Sequence, residues 1–353
     1  MTQVPFIEYV NVRIKGSHAR LFTRETYEDL MSGDNLGTIT TYLLNHPRYG
    51  SDVSAALENH LERRGLEIAV LNNFARSVSD LHGMSCGKVR ELFDLVLYSF
   101  EVRNIRTILL AHIRKTPANR VREMIVPVGV IAGVPLEKML GTPDLTAMAI
   151  LLKGRFPAVS ESLKLALKTE SDGGAVTFVN RVEQHLYRHV LAALEKTDDD
   201  SMHLRDVYRL EIDLRNITSA LKQIWQGVKP GEKQFSSFIP GGSVRLTFLE
   251  QMTAVKSLDE AIEMVEQTPF HEAVEKGIIY YAETGFLHEM ERFFEEVVIR
   301  KTQVFRRLHY LGVAVFLSYV WSHYVEMTNL RTIINGISFK TGAGQIRKGL
   351  IYV

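Results

Sequence analysis

The 353-residue sequence predicts an all-α fold made of three similar helical domains. Three observations predict it. An element of the same acid, asparagine and aliphatic stripe occurs three times at nearly even spacing, each occurrence carries the helical period, and no convincing set of alternating strands stands anywhere in the chain. Aligned on asparagine, the element reads Glu101-Val-Arg-Asn104-Ile-Arg-Thr-Ile108, Asp213-Leu-Arg-Asn216-Ile-Thr-Ser-Ala220 and Glu326-Met-Thr-Asn329-Leu-Arg-Thr-Ile333. Asn104 and Asn216 stand 112 residues apart, Asn216 and Asn329 113. A period near 112 exceeds the roughly 20–50 residues of a solenoid unit and matches a whole small domain. The reading is an internal triplication, with helical repeats over 1–118, 119–232 and 233–353 and the copies themselves near 8–116, 120–230 and 237–353.

Within each copy the elements follow in order. Leu36, Leu145 and Leu258 each begin a short helical pattern that a proline closes 11 or 12 residues later, at Pro47, Pro157 and Pro269. LENHL from Leu57, VEQHL from Val182 and MERFF from Met290 share an apolar-Glu start and an apolar fifth position. The motif helices come next. Val102, Ile105, Ile108 and Leu109 fall at i, i+3, i+6 and i+7, and the same offsets give Leu214, Ile217, Ala220 and Leu221, then Met327, Leu330, Ile333 and Ile334, each a stripe made to face a core. Residues 198–201 offer N-caps before a helix from near Met202, and Gly336 is read as the stop of the third copy's helix. After the first two motifs, V-P-V-G at 126–129 and I-P-G-G at 239–242 each lead, nine residues past the proline, to Leu136-Glu137-Lys-Met139 and Leu249-Glu250-Gln-Met252.

Composition narrows the function classes. With 46% hydrophobic and 24% charged residues the chain can bury a large core, and a net charge of +1 gives no bulk attraction to nucleic acid or anionic lipid. The single cysteine, Cys86, makes no intramolecular bridge and fits a reducing compartment. The most apolar run, 125–136, is broken by Pro127, Gly129, Gly133 and Pro135 and falls short of the roughly 20 residues a bilayer requires. The first residues lack the basic and apolar regions of a signal peptide. Membrane work is therefore expected only through a partner.

Catalytic patterns are missing. The chain has no G-x-x-x-x-G-K-[ST] phosphate loop and no G-x-S-x-G elbow, and Gly342-Ala-Gly344-Gln-Ile-Arg347 has arginine where a dinucleotide fingerprint needs its third glycine, so it reads as a loop. His185 and His189, four apart, lack the further ligands of a zinc site and read as helix-surface histidines. Arg300, Lys301, Arg306 and Arg307 form a basic cluster, but acids at 289, 291, 295 and 296 make it a salt-laced helix rather than a nucleic-acid surface. No cofactor or metal is expected. The last 23 residues carry Arg331, Lys340, Arg347 and Lys348 without an acid, which suits contact with an acidic partner or a membrane-adjacent surface, and equally an ordinary solvated end.

The repeated acid and asparagine lie on the shoulders of an apolar stripe, where each must find hydrogen-bond partners or cost about 1–3 kcal/mol. Glu101, Asn104, Asp213, Asn216, Glu326 and Asn329 are accordingly read as structural pins that fix helix packing. A catalytic or ion site of three carboxylates is disfavoured, since working carboxylates usually stand in differently tuned surroundings, and here one environment is repeated.

Three repeats of about 112 residues, the opening YVNVRIKGSHARLFTRETYEDL, the E/D-x-x-N-[IL] element and the ending NLRTIINGISFKTGAGQIRKGL together resemble the C subunit of the bacterial and archaeal V/A-type rotary ATPases, the relative of the eukaryotic d subunit. Tyr9-Val-Asn11-Val-Arg13 and Asn329-Leu-Arg331 are the most specific parts, and the resemblance covers essentially the whole chain. Thr328 stands where the other copies have Arg103 and Arg215, and Thr218 where they have Arg106 and Arg331, which puts in doubt any role for those arginines. The resemblance implies a funnel of three helical domains about a pseudo-threefold axis. It implies a peripheral, non-catalytic rotor component on the cytoplasmic side of the cell membrane, a socket between the central-shaft subunits and the membrane proteolipid ring, serving ATP-linked transport of protons or sodium ions. Tyr9, Arg13, Arg331, Arg347 and Lys348 are the candidate partner contacts. The alternative is a helical adaptor unrelated to rotary motors, which shares the triplication and the missing catalytic groups.

Overall fold

The computed structural model describes residues 7–33, 35–129, 134–168, 174–195, 198–227, 238–284, 287–309 and 311–352. Among them stand eighteen α-helices and no strand, so the fold is all-α. In chain order they are α1 (Ile7–His18), α2 (Arg24–Ser32), α3 (Leu36–Asn45), α4 (Gly50–Leu57), α5 (Glu62–Gly83), α6 (Gly87–Ile113) and α7 (Ala118–Met124). Then come α8 (Leu136–Leu140), α9 (Leu145–Leu152), α10 (Pro157–Lys168), α11 (Gly174–Ala193) and α12 (Asp199–Trp225). The remainder are α13 (Leu246–Thr253), α14 (Leu258–Val265), α15 (His271–Thr284), α16 (His288–Leu308), α17 (Val313–Ser338) and α18 (Ala343–Lys348).

Local chemistry sets these elements. The helices that the leucine-to-proline spacing predicts, α3, α9 and α14, begin at Leu36, Leu145 and Leu258, and one device starts all three. The side-chain oxygen of Asn35, Asp144 or Ser257 accepts the backbone N–H three residues on, from Thr38 at 3.0 Å, Ala147 at 2.7 Å and Glu260 at 3.2 Å. Such a cap contributes about 1 kcal/mol and fixes the first turn. The three motifs lie on the longest helices, α6, α12 and α17, of 27, 27 and 26 residues.

Three local expectations are corrected. The helix expected from near Met202 begins at Asp199, because Asp198 caps it and accepts from Ser201 N at 3.0 Å. Gly336 does not end α17, which continues to Ser338; a Cβ at Gly336 would lie 2.5 Å from Cγ1 of Ile346, so the glycine makes room for a neighbour. That neighbour belongs to α18, formed by the segment read as a loop, which folds because Ile346 buries against the glycine and the helix packs on α17 and α2.

The chain forms two compact units. The first takes the described residues up to Asp94, Val126–Val128 and those from Thr302 onward. Its centre is α17, whose buried residues run all round the helix from Val313 to Ile334, as befits a helix enclosed by others. It packs against α1, α2, α3, α5 and α18, and Phe93 stacks on Phe316 at 3.6 Å between ring centroids. The second unit takes Leu95–Ile125 and Gly129–Lys301. There α9, α10 and α11 pack in series, and α12 meets α11, α13 and α14. Among the described residues no helix is long and apolar enough to cross a membrane.

Candidate functional site

In the second unit Asn216 of α12 is buried, and its carboxamide grips one residue of the chain beyond the helix from both sides. Nδ2 donates to the carbonyl of Ile239 at 2.8 Å, and Ile239 N donates back to Oδ1 at 2.8 Å. One turn earlier Asp213 accepts from Ser243 N and Val244 N, each at 2.9 Å. Burial raises the Asp213 carboxyl above its ordinary range, and those two N–H groups oppose the rise. The segment 239–244, which opens with I-P-G-G, is thus held by four bonds to α12, and Gly242 is required within it, because a Cβ there would stand 2.1 Å from Oδ1 of Asp213.

The first unit repeats the asparagine device with the C-terminal segment. Asn329 of α17 donates through Nδ2 to the carbonyl of Ile351 at 2.8 Å and accepts from Ile351 N at 2.9 Å. Its acid works differently. Glu326, almost fully buried, accepts from Tyr49 Oη at 2.6 Å and also from Arg48 and the backbone N–H of Phe22. Burial raises its carboxyl, and Arg48 is foremost among the groups that counter it. Phe22 in turn sits among Tyr27, Tyr42, His46 and Tyr49, with the Arg48 guanidinium over its ring.

On α6, Glu101 and Asn104 are 5% and 2% exposed, as deeply sunk as their counterparts. Gly129 closes on Glu101 as Gly242 does on Asp213: it has φ of +74°, and a Cβ there would lie 2.1 Å from Oε1 of Glu101. Gly129 and Gly242 therefore share one cause, the motif acid pressed against them.

Sequence reasoning passed over a second polar system in the second unit. Arg103 pairs with Glu295 of α16, and Ser99 lies 2.7 Å from both oxygens of Glu211 on α12. Arg106 Nη1 donates to Glu183 of α11 at 2.6 Å, and Arg215 donates to the same carboxylate through Nε at 3.2 Å and Nη2 at 3.1 Å. Burial pushes the Glu183 and Glu211 carboxyls up to about 7, against the pull of Arg106 on the first and of Arg103 on the second. A signal was there. Ser99, Arg103 and Arg106 fall at i, i+4 and i+7, and Glu211, Arg215, Thr218 and Lys222 at i, i+4, i+7 and i+11, two polar stripes as regular as the apolar ones.

The candidate partner contacts all lie in the first unit. Tyr9 is 55% exposed, and Arg13 is exposed on the same helix, α1. Arg331 is half-buried on α17, and Lys348 is exposed on α18. Arg347 is held by Glu28, with Nε at 2.9 Å from Oε1 and Nη2 at 2.6 Å from Oε2. The basic run on α16 is laced with acids: Arg292 and Arg300 both reach Glu296, and Arg300 also reaches Glu272. Among the described residues no group of three or more metal-ligating side chains converges, and His185 and His189 stand on α11 without further ligands.

Comparison with known proteins bears on what these pins hold together. Residues 10–349 match the family described as ATP synthase (C/AC39) subunit. The C subunit of the A-type ATP synthase of Haloquadratum walsbyi is 22% identical over 93% of this chain and 93% of its own length. That of Desulfurococcus sp. is 27% identical over 92% of this chain and 85% of its own, and that of Pyrococcus horikoshii 23% over 96% and 89%. The match takes in all three motif helices and both polar stripes, so the chain belongs to the ATP synthase (C/AC39) subunit family.

Proposed function

We propose that this chain is the non-catalytic central-stalk subunit of a V/A-type rotary ATPase, a socket that couples the central shaft to the membrane proteolipid ring for ATP-linked transport of protons or sodium ions. The family match over residues 10–349 carries this reading. The geometry supports it: the polar residues of α12 and α17 that the motif repeats bind the chain to itself. A part that transmits torque needs stiffness, and buried two-way hydrogen bonds supply it, since they resist any sliding of segment against helix.

The same proposal includes the internal triplication over 1–118, 119–232 and 233–353 and the funnel arrangement that the resemblance implies. The common caps of α3, α9 and α14 and the near-equal lengths of α6, α12 and α17 support the triplication. Glu101, Asn104, Asp213, Asn216, Glu326 and Asn329 are its pins. Tyr9, Arg13, Arg331, Arg347 and Lys348 are assigned to partner contact, with Arg347 the least available because Glu28 already holds it. The chain then sits on the cytoplasmic side as a peripheral part of the complex.

Cross-linking in native membranes tests the assignment. A photoreactive residue in place of Tyr9 should join the chain to a proteolipid or a shaft subunit. Recovery of the chain free of every ATPase subunit, from membranes whose ATPase is intact, defeats the proposal.

A further inference from the structure

We propose that a cleft in the second unit, between α6, the first turn of α11 and α12, binds a phosphoryl group, either as inorganic phosphate or as part of a nucleotide. The cleft has a volume of about 340 Å³, within the range of small-ligand sites, and Arg106, Thr177, Asn180, Arg215, Thr218 and Lys222 are among its lining residues.

Its charge and its donors are arranged for an anion. Arg106, Arg215 and Lys222 are three cations, and the carboxylates that touch them are two, Glu183 and Glu291. One positive charge is left over. Glu183 lies behind the two guanidiniums and fixes their planes, yet it uses only Nη1 of Arg106 and Nε and Nη2 of Arg215, while Asn180 shares that same Nη1. Nε and Nη2 of Arg106 and Nη1 of Arg215 have no protein acceptor among the described residues. A guanidinium fork held from behind with donors to spare is a fitting receptor for a tetrahedral oxyanion.

Thr218 points to the same occupant. It is 5% exposed, it lines the cleft, and its Oγ1 has no hydrogen-bond partner among the described residues. A buried hydroxyl without a partner is costly, and an oxyanion in the cleft supplies the acceptor it lacks. The sequence shows why the space exists. At the position of Thr218 the other two motifs carry Arg106 and Arg331, so the second copy has a short side chain where a long cation stands elsewhere. The proposal stands independently of the coupling role.

Calorimetric titration of the purified full chain tests it, with sodium phosphate in one arm, ADP in another and sodium chloride at matched ionic strength as control. Saturable binding with one site per chain is expected for phosphate. Lys222→Gln and Thr218→Val should each weaken it about tenfold, the effect of losing one charged or buried donor, and Thr218→Arg should abolish it. Lys222 is half-exposed, so its substitution leaves the fold in place, and an unchanged melting temperature verifies this. Equal affinity for phosphate and ADP assigns the cleft to the phosphoryl group alone; tighter ADP, displaced by phosphate, assigns it to a nucleotide. The proposal is overturned if neither ligand gives saturable heat beyond the chloride control, or if Lys222→Gln and Thr218→Arg leave the affinity unchanged.

Discussion

At the scale of single residues, one side chain answers two backbone groups at once. Asn216 and Asn329 each close a two-bond ring with a residue more than twenty positions away, Ile239 and Ile351. Replacing either with alanine leaves a buried N–H and a buried C=O unpaired and should lower stability by about 1–3 kcal/mol, read as a drop in denaturant midpoint at unchanged slope. An Asn216→Ala variant as stable as the parent would show that water takes both groups and that the pin is dispensable. Glu211 makes a prediction of opposite sign. Its carboxyl titrates at about 7 in the fold against an ordinary 4.5. A raised folded pKa means that the contribution is fully present below about 4.5 and is lost as pH climbs through about 7, on the order of 3 kcal/mol when the group is wholly ionised. Glu211→Gln, neutral at every pH, should therefore melt higher than the parent near pH 8, with the gain fading toward pH 5. A variant that melts lower near pH 8 would mean that the attraction of Arg103 for the ionised carboxylate outweighs burial.

At the scale of elements, the legible parts were those written in local spacing. The starts of α3, α9 and α14 followed from the helical pattern that runs from each leucine to a proline 11 or 12 residues on, and the three long helices from their stripes. What escaped was whatever depends on a neighbour distant in sequence. Gly336 has the local signature of a helix stop, yet α17 runs past it because Ile346 needs the room. The polar stripes of α6 and α12 stood in the spacing, but their pairing did not, since nothing near Glu183 in sequence announces Arg106 of α6 and Arg215 of α12 as its partners. The α17–α18 contact can be weighed by magnitude. Gly336→Ala gains up to about 1 kcal/mol of helix propensity but forces a methyl into Ile346, an overpacking cost of about 1–3 kcal/mol, so a net loss is expected. With Ile346→Ala in place the obstacle is gone, and the same Gly336→Ala change should become stabilising. Thermal melts of the four proteins in this cycle decide it: stabilisation by Gly336→Ala in both backgrounds would mean that α18 does not rest on the glycine.

At the scale of the whole molecule, the repeated polar residues are directed inward. In α12 and α17 the motif acid and asparagine are bonded to the chain's own backbone and side chains. Under the proposed coupling role the chain holds parts of the ATPase in register, and removing it should separate two activities that the intact complex keeps linked. In proteoliposomes carrying the complex assembled without this chain, ATP hydrolysis by the nucleotide-binding subunits should persist, while ATP-driven ion uptake falls to background. Adding back the purified chain should restore uptake without raising the maximal rate of hydrolysis. An Asn329→Ala chain, its C-terminal segment unpinned from α17, should restore less uptake than the parent at the same occupancy, because a loosened coupler dissipates torque as internal motion. If omission of the chain abolishes hydrolysis as well, in complexes whose nucleotide-binding subunits are shown to be assembled, the chain supplies something to catalysis. If uptake persists without it, the path of torque lies elsewhere.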